Sequence, residues 1–156
     1  MSVTVPIELS QEIDVRASAG QVFEVLADVP TSASHFPDVE RLVDLGGNRF
    51  RWELHKVGTA QVHIQTVYAA EYHADRRKLR IGWTPVEGIG NASIGGSWTI
   101  TERKDSTRVR LQVHGEIRVP LPALMKLLVV PVVTGEHVRL VRQYLRNLVA
   151  HFGAAH

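Results

Sequence analysis

The chain has 156 residues, 44% of them hydrophobic and 22% charged, with a formal net charge of +2 and no cysteine. That is enough apolar material for the core of one soluble domain, expected over residues 1–156. The small basic excess does not make a nucleic-acid surface, and without cysteine there are no disulfides, no thiolate catalysis and no Cys-based metal site.

The elements follow in chain order. Ile7, Leu9, Ile13 and Val15 alternate with Glu8, Ser10, Glu12 and Asp14, which is a strand with one apolar face. Ser18 and Gln21 have the spacing of a capping box, and Val22, Phe23, Val25 and Leu26 supply a helical stripe that ends at Asp28-Val29-Pro30. A second helical turn is expected from Pro30 to His35, stopped by Pro37. The sheet resumes near Val39, with turns at Gly46-Gly47-Asn48, Gly58-Thr59, Asp75-Arg76, Pro85 to Asn91 and Lys104-Asp105-Ser106. The order is β-α-α-β-β-β-β-β-β. The C-terminal segment changes period: Val138, Val141, Leu145, Leu148 and Phe152 form an amphipathic helix whose wet face carries Arg139, Arg142 and Arg146. It is expected to begin at Thr134 or Gly135, or to run back toward Leu121 with a kink at Pro131.

From Phe50 to Val119 every strand sorts the same way. Phe50, Trp52 and Leu54 oppose Arg49, Arg51, Glu53 and His55. Val62, Ile64, Thr66, Tyr68, Ala70 and Tyr72 are expected on the inner face of one continuous strand. Leu79, Ile81, Trp83, Ile94, Trp98, Ile100, Leu111 and Val113 continue that face. It carries almost no acid or base; its polar handles are Gln11, Lys56, Thr66, Tyr68, Tyr72 and the indole N–H groups. No paired carboxylates, no G-x-S-x-G elbow and no phosphate-binding loop are present. Gly95-Gly96-Ser97 lies within a strand, with Ser97 facing out. His55 and His63 are expected on the wet face of neighbouring strands, without a third ligand, so no metal site and no cofactor are expected. His35, in the second helical turn, and the pair Tyr68 and Tyr72 are the weak candidates for proton transfer.

Several stretches resemble the SRPBCC superfamily, the START-like and polyketide cyclase/dehydrase-like proteins. Val15-Arg16-Ala17-Ser18-Ala19-Gly20-Gln21-Val22-Phe23 resembles the family's strand end followed by small residues and an aromatic. Asp28, then Phe36-Pro37 and Val39, match its Asp, aromatic-Pro and Val, with His35-Phe36 where a Trp is common. The strand opening Trp98-Thr99-Ile100 and the closing apolar and basic helix also match. The resemblance covers nearly the whole chain and implies an α+β helix-grip fold: a curved antiparallel sheet of about seven strands wrapped around a long C-terminal helix, with two short helices after the first strand. It further implies a cavity between sheet and helix for an apolar or amphipathic ligand. On that expectation the ligand-binding residues are Phe36, Phe50, Trp52, Leu54, Ile64, Tyr68, Tyr72, Ile81, Trp83, Ile94, Trp98, Leu111, Val113, Leu128, Val141 and Leu145.

Three functions are consistent with these features. The favoured one is a non-catalytic binder or carrier of a hydrophobic small molecule, such as a lipid, an isoprenoid quinone or a polyketide-like aromatic. The second is an enzyme of cyclase, aromatase or dehydratase type, in which Tyr68, Tyr72, His35 and Lys56 would have to move protons. The third is an interaction module: Leu121 to Val133 is more apolar than one helix face requires, which suits a homodimer or a peripheral membrane contact. That stretch is too short to span a bilayer. Residues 1–9 carry no basic leader or long apolar run, and a cytoplasmic location is expected.

Overall fold

The computed structural model describes residues 2–58 and 63–155. Its strands are β1 (Val3–Val15), β2 (Val39–Gly46), β3 (Arg49–Leu54), β4 (Val57–Gly58), β5 (His63–Ile64), β6 (Val67–Asp75), β7 (Arg80–Pro85), β8 (Ala92–Glu102) and β9 (Thr107–Val119). Its α-helices are α1 (Ala19–Ala27), α2 (Val29–Ala33) and α3 (Lys126–Phe152), the last preceded by a 3-10 turn at Ala123–Met125. Among the described residues seven strands form one antiparallel sheet in the order β1-β9-β8-β7-β6-β3-β2, and β4 and β5 pair separately. This is the α+β helix-grip architecture.

Each neighbouring pair but one is joined by a short or moderate connection. The exception is β1, whose Val3 pairs with Val119 and whose Val15 pairs with Thr107. β1 and β2 therefore lie at opposite edges, and α1 and α2 carry the chain across. The start of α1 is fixed by its capping box: the Ser18 hydroxyl accepts from the Gln21 amide, and the Gln21 side chain accepts from the Ser18 amide. The register sets one apolar row across the sheet: Gln11 beside Leu111, Leu111 beside Trp98, Trp98 beside Ile81, and Ile81 beside Ala74.

Two expectations are corrected and one is narrowed. The continuous strand over 61–72 is two pieces, because the ladder breaks at Gln65-Thr66 and β6 begins at Val67. There the Gln65 side-chain Nε2 donates to the Leu54 carbonyl and the Thr66 carbonyl accepts from the Leu54 backbone amide, so the chain leaves the β5 ladder to bond with the end of β3. Val62 and Thr59 lie outside the described residues. Of the two starts expected for the last helix, the run back toward Leu121 is the one found: the helix begins at Lys126, not at Thr134 or Gly135, and contains Pro131 without ending there. Proline removes one amide and strains one turn, and the packing of Val129 and Val133 holds the helix through it. Leu79 adopts a left-handed turn (φ 53°) just before β7 and does not continue that strand.

α3 packs across the concave face of the sheet. Val129, Val133, Val141, Tyr144, Leu145 and Leu148 join Ile81, Trp98, Leu111 and Val113 in the main core. A smaller cluster gathers Val29, Ala33, Phe50, Trp52, Leu54 and Leu140 under α2. The C-terminal end of α3 is fastened: the Arg16 amide donates to the Gly153 carbonyl, and Val15 bridges to Ala154. Among the described residues no helix is long and apolar enough to cross a membrane.

Candidate functional site

Between α3 and the sheet the packing is incomplete. A cavity of ≈ 100 Å³ remains, several times the ~10–15 Å³ that one water requires. Large aromatic side chains of β3, β6, β7 and β8 border the hollow. Phe36 packs edge-on against Trp52 and Tyr144, and Trp98 edge-on against Tyr144. Trp52 stacks parallel to Tyr68, their centroids 5.9 Å apart and the rings only 6° from parallel. Such aromatic contacts are favourable beyond the area they bury and fix the rings in place.

The walls can be set against the expected ligand-binding residues. Phe36, Trp52, Leu54, Ile64, Tyr68, Tyr72, Trp83, Ile94, Trp98, Leu111, Val113 and Val141 line the cavity. Phe50, Ile81 and Leu145 are buried in solid packing beside it, and Leu128 is 66% exposed on the outside of α3. Val132 lines the cavity and is also 62% exposed, which places an opening beside the early turns of α3. The sequence did not single out Ser32, Glu136, His137, Leu140 or Tyr144, all of which are lining residues. A signal for two of them was available: His137 and Tyr144 fall at helical spacing with Val141 and Leu148 of the apolar row.

The polar groups on this wall are few and neutral. The Trp52 indole N–H donates to the Tyr72 hydroxyl at 3.0 Å. The Ser32 and Tyr144 hydroxyls share a hydrogen bond that ties α2 to α3. Burial pushes the phenols of Tyr68, Tyr72 and Tyr144 well above the usual tyrosine range, so they stay protonated and act as hydrogen-bond donors, not bases. His137 is pushed down to about 4, because burial disfavours its charged form. Its Nε2 atom is buried without a hydrogen-bond partner.

Charge is kept at the rim. Glu136 lines the cavity edge, and its carboxylate is held by the Arg139 guanidinium, which also donates to Asp38 at 3.0 Å. Asp38, in a left-handed backbone conformation (φ 61°), belongs to the loop between α2 and β2, so this exposed pair links that loop to α3. No lysine or arginine lines the cavity among the described residues.

His35, a candidate for proton transfer from the sequence, does not line the cavity. It lies against His151, with ring centroids 4.8 Å apart, and its carbonyl accepts from the Asn147 side chain at 2.8 Å. Partial burial, then the neighbouring His151, lowers its pKa. Lys56 is exposed beyond the end of β3. His55 is not in a strand; its amide donates to the Asp38 carbonyl, and the residue paired with His63 is Gly58. Among the described residues no cluster of His, Asp and Glu is arranged to hold a metal ion. Ser97 faces the outer side, in a shallow hollow with Glu8, Ser10, Arg80, Gln112 and His114.

Comparison with solved structures gives the same architecture. A START superfamily protein from Mycobacterium smegmatis superimposes with a TM-score of 0.69 at 14% identity, over 93% of this chain and 96% of that one. An aromatase/cyclase from Streptomyces sp. R1128 gives 0.68 at 16% identity, over 96% and 99%. Norcoclaurine synthase from Thalictrum flavum, solved with dopamine and hydroxybenzaldehyde, gives 0.61 at 16% identity, over 97% and 91%. At these identities the likeness is one of fold. No curated protein matches by sequence. Residues 6–153 match the family described as polyketide cyclase / dehydrase and lipid transport. With this fold and a match over nearly its full length, the chain belongs to that family, within the SRPBCC superfamily.

Proposed function

We propose that this protein binds a hydrophobic small molecule in the cavity between its sheet and α3, as a carrier rather than a catalyst. The observation that supports this most is the character of the wall: aromatic and aliphatic side chains, with neutral hydroxyls as the main polar points. Ligand sites are mostly apolar with a few placed polar groups. Proton-transfer chemistry needs a group whose pKa lies near the working pH. The buried tyrosines are pushed away from that range, and so is His137. A cyclase-type enzyme is the second reading. It is favoured by the Tyr72 hydroxyl, which takes the Trp52 N–H and keeps its own proton to offer a substrate oxygen.

One experiment addresses both. All three tryptophans of the chain line the cavity, so intrinsic fluorescence reports its occupancy. The protein is examined by native mass spectrometry with organic extraction, then titrated with naphthalene. A co-purifying apolar molecule, or a saturable one-site fluorescence change, is the expected result. Neither signal would overturn binding in this cavity. The extracted molecule is then incubated with fresh protein: recovery unchanged supports a carrier, and conversion supports the enzyme.

A further inference from the structure

His137 projects from the inner stripe of α3 that also carries Val141 and Tyr144, and it lines the cavity. Its Nε2 is out of contact with solvent and has no hydrogen-bond partner. Buried polar atoms are almost always paired, so an orphaned atom on a side chain that lines a cavity calls for a partner. Two more groups on the wall have unused capacity. Among the described residues the Tyr72 hydroxyl accepts from Trp52 but has no acceptor for its own proton, and the Tyr68 hydroxyl has no hydrogen-bond partner. The Ser32 and Tyr144 hydroxyls, by contrast, satisfy each other.

Taking the cavity as a binding site, we infer that His137 Nε2 anchors a hydroxyl group of an uncharged ring compound and so selects the ligand. The imidazole is neutral, so Nε2 presents either an N–H or a lone pair. A hydroxyl both donates and accepts and satisfies either tautomer. A bare hydrocarbon leaves Nε2 orphaned. A carboxylate brings a charge into an apolar wall that offers no cation among the described residues, beside the Glu136 carboxylate. Tyr68 and Tyr72 remain available as donors to a second ligand oxygen.

The test compares naphthalene, 2-naphthol and 2-naphthoate by fluorescence titration on the wild-type protein and on His137→Leu. The affinity ratio of 2-naphthol to naphthalene is expected to fall about five-fold in the variant, the size of one hydrogen bond. His137→Phe, a ring without a polar atom, carries the same expectation and serves if the leucine variant does not fold. His137→Gln keeps a donor and an acceptor and is expected to hold the ratio within about two-fold of wild type. 2-Naphthoate is expected to bind the wild type more weakly than 2-naphthol. An unchanged ratio in the apolar variants, with naphthalene still bound, overturns the role of His137 and leaves the cavity reading standing. Naphthoate binding as tightly as naphthol overturns the preference for an uncharged ligand. Saturable binding of neither neutral probe overturns the cavity reading and this inference together.

Discussion

Gly96 has no side chain, and an indole occupies the space. The residue pairs with Trp83 and points to the same inner face. A Cβ there would lie 2.3 Å from the Gln112 carbonyl oxygen and 2.6 Å from the Trp83 ring. The carbonyl belongs to the β9 backbone and cannot swing away, so Gly96→Ala forces either the ladder or the cavity wall to shift. The expected cost is about 1–3 kcal/mol by urea denaturation, with a changed near-ultraviolet circular dichroism from Trp83. Gly20→Ala is the control: in α1 its Cβ meets nothing, and the change is expected to stabilise by about 0.5–1 kcal/mol. At this scale the sequence is informative about direction and poor about space. Strict alternation put Trp52, Tyr68, Tyr72 and Trp98 on the inner face, because a strand has a period of two. It does not distinguish Trp98, which borders the void, from Ile81 beside it in the register, which is packed solid. That difference comes from how far α3 stands off the sheet, which no single residue type encodes. His137 escaped notice for a related reason. A histidine is ordinarily a surface residue, and only its position relative to Val141 and Tyr144 shows it turned inward.

The elements differ in how firmly they are held, α3 most of all. Its C-terminal half buries Leu140, Val141, Tyr144, Leu145 and Leu148, and its end is bonded to Arg16. Its N-terminal turns carry Leu127 (89% exposed) and Leu128, and Pro131 removes the amide that would bond to the Leu127 carbonyl. Amide hydrogen exchange should therefore run fast over residues 126–132 and slow over 140–148. Uniform protection along the helix would contradict this account. The cavity opens beside the loosely held end, so that gradient places the mobile part of the helix at the mouth. The helix was visible in the sequence as a change of period, but its start was left open between Thr134 or Gly135 and a run back toward Leu121. The apolar run from Leu121 has no polar face to mark a boundary, and Pro131 and Gly135 imitate a stop that packing overrides. Likewise Gln61 to Tyr72 alternates well enough to look like one strand. The break depends on Gln65 and Thr66 bonding to Leu54, a contact between segments that alternation within one segment cannot reveal.

Across the whole molecule, pH enters through the interior. His137 is neutral in the folded protein, with its pKa pushed down to about 4 by burial. In the unfolded chain it returns to the ordinary histidine value of about 6.5. Between those values the unfolded state binds more protons, so folding stability rises with pH in that window. The contribution is fully present above the unfolded value and is lost, at about 1.4 kcal/mol per pH unit, as pH falls toward the folded one. His35, lowered by burial and by His151, adds a smaller effect of the same sign. Urea midpoints should fall from about pH 6.5 to about pH 4, and His137→Leu should flatten most of that slope. An equal slope in the variant would place the acid sensitivity elsewhere. The global architecture was the most legible level of all: one early strand, two short helices, a meander and a long helix have few ways to bury a single apolar sheet face.

The pairing of Val3 with Val119 and of Val15 with Thr107 bears on the order of events in folding. Hairpins among β6, β7, β8 and β9 close over short loops, whereas β1 must wait for a partner made much later in the chain. Closing so long a loop is entropically costly before any contact rewards it, and topologies of this kind fold slowly. Until β9 exists, the apolar row of Val3, Val5 and Ile7 stays uncovered. The strand made before every other in the sheet is thus among the last to find its place, and the nascent chain carries that apolar edge unpaired through most of the sheet's synthesis.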